Sequence, residues 1–351
     1  MRLVLTEDLK ENMTLAKAIY DNGNILLNKG VKNLYKYKDK LLAIGVKHLY
    51  VEDEYSRDIK VDEVIKEKTR RKGKAIIKKN FEKIKKGVFN IDIEGFKSVI
   101  EDIQAELEIN EDVLLNLADI KATSTYTYDH SVNVGIVCIA LGKILNYSPD
   151  DLFKLGMGGM LHDVGKVLIP EKILNKPDRL DDYEYSVIKK HPQLGFEHLQ
   201  QLETVSPLSR IVAYSHHERV NGSGYPRGQK GNNIHEFARI AAIADVFDAL
   251  TSDRVYRDRW PTYRAAEYIM NNTETLFDYA FVKKFLRKIS FYPNGSEVIL
   301  STGDRGIISE QNIGFPTRPI VRIIEDKDGK KKIKELDLIK HLNIVVEKVI
   351  L

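Results

Sequence analysis

Only one cysteine, Cys138, occurs in the 351 residues. A lone thiol cannot close a disulfide within the chain. A disulfide-stapled scaffold is therefore excluded, and a reducing, cytoplasmic setting is expected. Cys138 lies in an apolar run and reads as a small buried hydrophobe. Long hydrophobic runs are also missing. The longest uncharged stretch, SVNVGIVCIALG at 131–142, is far short of the roughly 20 residues that a membrane-spanning helix needs. The opening residues, MRLVLTEDLKENM, are too charged for a secretory signal. A soluble protein with no membrane partner is the expectation. Nor is there a strong excess of one charge: 55 Lys and Arg face 51 Asp and Glu, a net charge of +4. That balance argues neither for nor against a polyanionic partner, and no DNA or RNA partner is expected. No internal repeat is visible.

What is present divides along the chain. The length suggests two or three units. Residues 1–55 carry a small α/β pattern. Two short apolar runs flank Asp21-Asn22-Gly23, a hairpin signal. VKNLYKYKDKLLAIG (31–45) reads as a helix stopped at Gly45, and VKHLYVE (46–52) as a strand. Residues 56–110 begin with a basic run, KEKTRRKGKAIIKKNFEKIKKG. A contact with nucleic acid or an acidic partner is one reading. The spaced Ile76, Ile77, Phe81 and Ile84 favour the other, a solvated helical connector with one apolar face. Residues 111–290 are helical in pattern, with start signals at Ser148-Pro149-Asp150-Asp151, at Asp181-Asp182-Tyr183-Glu184 and at Ser206-Pro207. These helices run toward His162, His191 and His216. Residues 291–351 change to strands joined at Gly303 and Asp328-Gly329, a β appendage. The predicted fold class is mainly α: a helical bundle with small N-terminal α/β and C-terminal β appendages.

Nine histidines occur, and five stand in suggestive places: His130, His162, His191, His216 and His217. Two aspartates accompany them, Asp163 directly after His162, and Asp245 within the apolar segment RIAAIADVFDAL. An unpaired carboxylate in such a helix would cost several kcal/mol of desolvation, a cost that a metal ion would remove. Neutral imidazoles and carboxylates together suit divalent first-row metals. Seven such groups exceed what one open metal site needs. They suit two ions sharing a bridging aspartate and a water. Ions about 3.5–4 Å apart clamp the attacking and leaving oxygens of a phosphoryl displacement. Each residue alone is weak evidence, and the coincidence carries the weight.

Three segments then resemble one family. His162-Asp163, HHERVNGSGYP at 216–226 and IADVFDALTSDRVYR at 243–257 are similar to the HD-GYP domain, a branch of the HD hydrolase superfamily, over about 115–285. The resemblance implies a helical bundle with a metal centre that hydrolyses cyclic di-GMP. It implies two divalent ions, iron or manganese. His130, His162, Asp163 and Asp245 would hold one; Asp163, His191, His216 and His217 would hold the other, with Asp163 bridging. Lys166 matches a lysine near the scissile phosphate, where its charge would stabilise developing negative charge or assist the leaving group. Arg254 and Arg257, three apart on one helix face, match positions that contact ligand phosphates. Gly222 and Gly224 permit a sharp turn beside the ions. Tyr225 caps the loop, against ligand or packed down on the protein. Glu218 would orient a neighbouring histidine. The loop and the N-terminal unit are the surfaces for a second copy of the chain or a signalling partner.

Two positions depart from the family pattern. Asn221 replaces a common aspartate. Tyr126 stands where some members carry a glutamate that helps hold a third metal. It argues for two metals and for linear pGpG, rather than GMP, as the main product. Two other readings stay open: hydrolysis of another cyclic dinucleotide, and a receptor or scaffold with little catalysis.

Overall fold

Alternating apolar residues pair first as short strands near the N-terminus. In the computed structural model, which describes residues 1–21, 24–61, 63–109, 126–252, 259–327 and 330–350, β1 (Arg2–Leu5), β2 (Thr14–Leu15) and β5 (His48–Glu52) form an antiparallel sheet in the order β1-β5-β2. Between them β3 (Ile19–Asp21) and β4 (Asn24–Leu27) pair as the expected hairpin, with Asp21 opposite Asn24. Residues 22 and 23 of its turn lie outside the described residues. The helix expected over 31–45 is shorter: a 3-10 turn, Leu34–Tyr37, leads into α1 (Lys38–Ala43). Leu34 and Leu41 are the residues it buries, in a small core with Val4, Leu15, Val46, Leu49 and Val51.

The basic run forms α2 (Glu67–Lys85). Its apolar stripe, with Ile77, Phe81 and Ile84, is fully buried among α3 (Ile93–Ile109) and α4 (Tyr126–Ile144). Its cations meet acids on neighbouring elements: Lys72 with Asp102, Lys74 with Asp129, Lys79 with Asp92 and Lys85 with Glu171. Glu106 of α3 accepts from the Lys66 amide at 2.8 Å and from the Thr69 hydroxyl at 2.9 Å, closing the first turn of α2.

The remaining helices are α5 (Pro149–Leu161), α6 (Glu171–Leu174), α7 (Asp182–Ile188), α8 (His191–Gln200), α9 (Pro207–Ser215), α10 (Glu236–Thr251), α11 (Thr262–Asn271) and α12 (Tyr279–Leu286). The start signals read from the sequence are in place. Ser148 accepts from the Asp151 amide, Ser206 from the Leu208 amide, and Asp181 and Glu184 form a reciprocal capping box. α10 is apolar almost all round and accordingly runs through the core. No helix among the described residues is long and apolar enough to cross a membrane.

The C-terminal strands β6 (Glu297–Leu300), β7 (Arg305–Glu310), β8 (Ile320–Lys327), β9 (Lys330–Asp337) and β10 (Val346–Ile350) form one antiparallel sheet in the order β10-β6-β7-β8-β9. It packs back on the N-terminal unit. The Leu3 amide donates to Gly295 at 2.9 Å, and Arg322 of β8 grips both oxygens of Asp58 at 2.6 and 2.7 Å. The fold is thus helix-rich, with small sheets at both ends.

Phe81 is fully buried and sits edge-on to Tyr128. Phe81→Ala is expected to destabilise the chain by about 3–5 kcal/mol, measured by urea unfolding; a loss below about 1 kcal/mol would show that α2 is not part of the cooperative core.

Candidate metal centre

The elements that carry the seven residues end or cross at one place. His162 caps the C-terminus of α5, and His216 caps the C-terminus of α9. His191 opens α8. Asp163 begins the 3-10 turn Val164–Leu168. His130 comes from α4 and Asp245 from α10. Two helix C-termini therefore aim their negative dipole ends at the cluster, an arrangement that favours a cation. The fit between Asp163 and α8 is close: a Cβ on Gly165 would lie 1.9 Å from the His191 carbonyl oxygen.

The residues form two groups whose potential ligand atoms lie within 4.8 Å of one another: Asp163 with His191, His216 and His217, and His130 with His162 and Asp245. Asp163 faces both. Its Oδ1 lies 3.3 Å from His191 Nε2 and 3.8 Å from His216 Nε2. Its Oδ2 lies 3.4 Å from His162 Nε2 and 3.8 Å from His130 Nε2. His130 Nε2 is 3.2 Å from Asp245 Oδ1, and His217 Nδ1 is 3.9 Å from Asp245 Oδ2.

Hydrogen bonds on the far side of the rings set the tautomers. The Nδ1–H groups donate outward: His162 to the Gly159 carbonyl at 2.7 Å, His191 to Ile188 at 2.8 Å, and His216 to Ala213 at 3.1 Å. His130 Nδ1 donates to Asp248 Oδ2 at 2.7 Å. The rings of His162, His191 and His216 therefore turn the lone pair of Nε2 inward. The Nε2 atoms of His191 and His216 stand 3.3 Å apart, and with both protons placed outward neither can donate to the other. His162 Nε2 and Asp163 Oδ1 are buried and have no hydrogen-bond partner among the described residues. Buried acceptors facing acceptors cost about 1–3 kcal/mol each; cations placed among them convert the same lone pairs into ligands. The donor set, nitrogen with carboxylate oxygen, fits divalent first-row metals.

The electrostatics agree. Burial opposes charge on Asp163 and Asp245. The neighbours outweigh it, the Lys166 ammonium for Asp163 and the hydrogen bond from His130 for Asp245, holding both carboxyls well below the usual range. Burial, with adjacent imidazoles, pushes His216 and His217 well below the usual imidazole range. At His130 burial again disfavours charge, but the hydrogen bonds that its two ring N–H groups donate to Asp245 and Asp248 prevail and raise the pKa to about 9, so in the metal-free chain His130 stands as an imidazolium between two carboxylates.

One side of the cluster is open. The side chains of His130, His162, Asp163, His191 and His216 are at most 3% exposed, while those of Lys166, His217 and Asp245 reach 28, 18 and 11%. Lys166 places its ammonium 2.5 Å from Asp163 Oδ2. Tyr225 stacks on His217 with ring centroids 4.6 Å apart, so the tyrosine covers one edge of this opening. Gly222 has φ +84°, and a Cβ on Gly224 would lie 2.4 Å from the Arg219 amide nitrogen, which accounts for both glycines in the turn. The structure corrects the expected role of Glu218. Its two oxygens accept the amides of Arg227 and Gln229 at 2.8 and 2.9 Å, so it orders the loop after Pro226 and leaves the histidines to carbonyls. Asn221 keeps its turn by accepting from the Ser223 amide at 2.9 Å. Arg254 and Arg257 lie outside the described residues, as does the side chain of Tyr126.

The sequence reading passed over Asp248 and Asn133. Each sits three residues beyond a candidate ligand, on the same helix face; that spacing was the available signal.

The cluster lies within a stretch of the chain that matches known proteins. Residues 112–281 match the HD domain family, and residues 297–351 match the KOW domain associated with HD domains. The chain is an HD-domain protein, as the His162-Asp163 pair implied. Among curated relatives, a cyclic di-GMP phosphodiesterase of Pseudomonas aeruginosa is 37% identical over 248 residues, 70% of this chain and 59% of that one. A cyclic di-GMP phosphodiesterase response regulator of Xanthomonas campestris is 39% identical over 47% of this chain and 43% of its own length. A 3'3'-cGAMP-specific phosphodiesterase of Vibrio cholerae is 35% identical over 51% of this chain and 35% of its own. The chain thus spans between about a third and three fifths of the length of these relatives. Among solved structures, an HDG"Y"P protein from Bdellovibrio bacteriovorus shares the fold with a TM-score of 0.52 at 17% identity, covering 81% of this chain and 97% of that one.

Because the Gly165 backbone touches α8, Gly165→Ala is expected to cost at least about 2 kcal/mol and to displace His191. Thermal unfolding and bound divalent metal per chain should fall together; an unchanged metal content would refute the close fit.

Proposed function

We propose that the chain is an HD-GYP phosphodiesterase that opens the ring of cyclic di-GMP to linear pGpG. The observation that carries the reading is the pair of ligand groups with Asp163 between them, where the buried acceptors His162 Nε2 and Asp163 Oδ1 have no hydrogen-bond partner among the described residues. The names of relatives at 37 and 39% identity support the substrate.

In this reading His130, His162, Asp163 and Asp245 hold one divalent ion, and Asp163, His191, His216 and His217 hold the other, with iron or manganese suited to the donors. Two ions bound there would supply positive charge at the scissile phosphate and lower the pKa of a water for attack. The protein does the rest. Outward hydrogen bonds fix the rings of His130, His162, His191 and His216 before substrate arrives, so little reorganisation of these four accompanies binding. Against its burial, Asp163 stays ionised because the Lys166 ammonium holds it so. Lys166, the partly exposed cation of the group, would reach the scissile phosphate and steady charge on the departing 3'-oxygen. Tyr225 lines the opening beside His217, and Arg254 and Arg257 are assigned to the ligand's phosphates. Tyr126 supports two ions and pGpG as the product. The reading carries a cytoplasmic location, and a second copy or signalling partner at the Tyr225 loop or the N-terminal unit.

A second reading is favoured by the cGAMP-specific relative at 35% identity: a hybrid cyclic dinucleotide as the preferred substrate. Cleavage rates on cyclic di-GMP and 3'3'-cGAMP, with metal analysis and product chromatography, decide between them. A receptor without turnover is opposed by the intact set of seven residues. His162→Ala and Asp163→Asn are expected to lose metal and turnover together; equal product release by wild type and both variants would end the enzyme reading. Lys166→Ala should lower kcat roughly 10²–10³-fold while metal content stays intact.

A further inference from the structure

We infer that Asn133 and Arg70 are positioning residues for the metal centre, acting through Asp248 on His130. The inference rests on the metal-centre reading above. His130 and Asn133 stand three apart on α4, and Asp245 and Asp248 three apart on α10. The His130 ring lies between the two carboxylates, Nε2 3.2 Å from Asp245 and Nδ1 2.7 Å from Asp248. The other oxygen of Asp248 accepts from the Asn133 side-chain amide at 2.6 Å. The oxygen of that amide accepts from Arg70 of α2 at 2.8 Å. His130, Asn133 and Asp248 are each at most 3% exposed.

The chemistry of this row is directional. A guanidinium can only donate, so it fixes which end of Asn133 is oxygen. The NH₂ end must then face Asp248, and the carboxylate, held on one side, takes the His130 proton on the other. Asparagine is the residue that accepts at one end and donates at the other in this space. An aspartate there has the same size and no donor, and would set its charge against Asp248. Arg70 is placed in turn by the first turn of α2, which Glu106 closes. The adjacent Arg71 lies over the Tyr20 ring of the N-terminal unit at 5.3 Å, so α2 connects that unit to a metal ligand.

The test is titration of the full metal-free chain with Mn²⁺, read by calorimetry, for wild type, Asn133→Asp, Arg70→Ala and Arg70→Lys. Wild type should take two ions. Asn133→Asp and Arg70→Ala should weaken one of the two about 10- to 100-fold, leaving the other unchanged, and Arg70→Lys, which retains a donor, should recover most of the loss. Melting temperatures of the metal-free variants separate misfolding from mispositioning. A folded Asn133→Asp with wild-type affinity at both sites would overturn the inference, because a space-filling role predicts that result. Should Asn133→Asp fail to fold, equal affinities in Arg70→Ala and wild type overturn it instead. Wild type that binds no Mn²⁺ sinks the metal centre and this inference together. Two bound ions with no cleavage of cyclic dinucleotides sink only the substrate assignment.

Discussion

The lone pairs of three imidazoles converge on one buried carboxylate, Asp163, whose Oδ2 takes the Lys166 ammonium and whose Oδ1 has no hydrogen-bond partner among the described residues. Every nearby element serves that convergence. Helices α5 and α9 end on it, α8 begins on it, and the Nδ1 protons are carried away to carbonyls. Such an arrangement is unfavourable in a bare protein interior, where each unsatisfied acceptor carries a desolvation cost. Its persistence in the fold is the strongest physical argument that cations belong there. The surrounding core, rich in Leu, Ile and Val, packs behind the acceptors.

Much of this was legible in the sequence, because the signals were local. Ser148, Asp181 and Ser206 announced helix starts through a side-chain oxygen and a following proline or acid, and each caps as expected. The turn chemistry at Asp21-Asn22-Gly23 and Gly303 placed hairpins correctly. Asp245 stood out because a carboxylate in an apolar helix needs an explanation. The readings that went astray depended on tertiary partners. Glu218 sits beside two histidines in sequence, yet the chain folds back and offers it the amides of residues 227 and 229. Asp248 and Asn133 look like ordinary polar residues until α4 and α10 are set side by side. The helix expected over 31–45 begins late, since residues 34–37 wind as a tighter 3-10 turn.

The basic segment shows how composition can mislead about partners. Read alone, its lysines and arginines suggest a polyanion. In the fold, Lys72, Lys74, Lys79 and Lys85 each face an acid on another element, at spacings from 13 to 86 residues along the chain. Exposed pairs of this kind add little stability individually. Their number does set the orientation of α2 against its neighbours, and the burial of Ile77, Phe81 and Ile84 supplies the energy.

The row from His130 to Asp248 joins residues 118 positions apart. Ions held by ligands so distant along the chain act as removable cross-links: each closes long stretches of polypeptide whose ends would otherwise diffuse apart, at an entropic cost that grows only slowly with length. The cage is complete only once α4, α5, α8, α9 and α10 have all docked. Ions bound there would resist the separation of five helices at once.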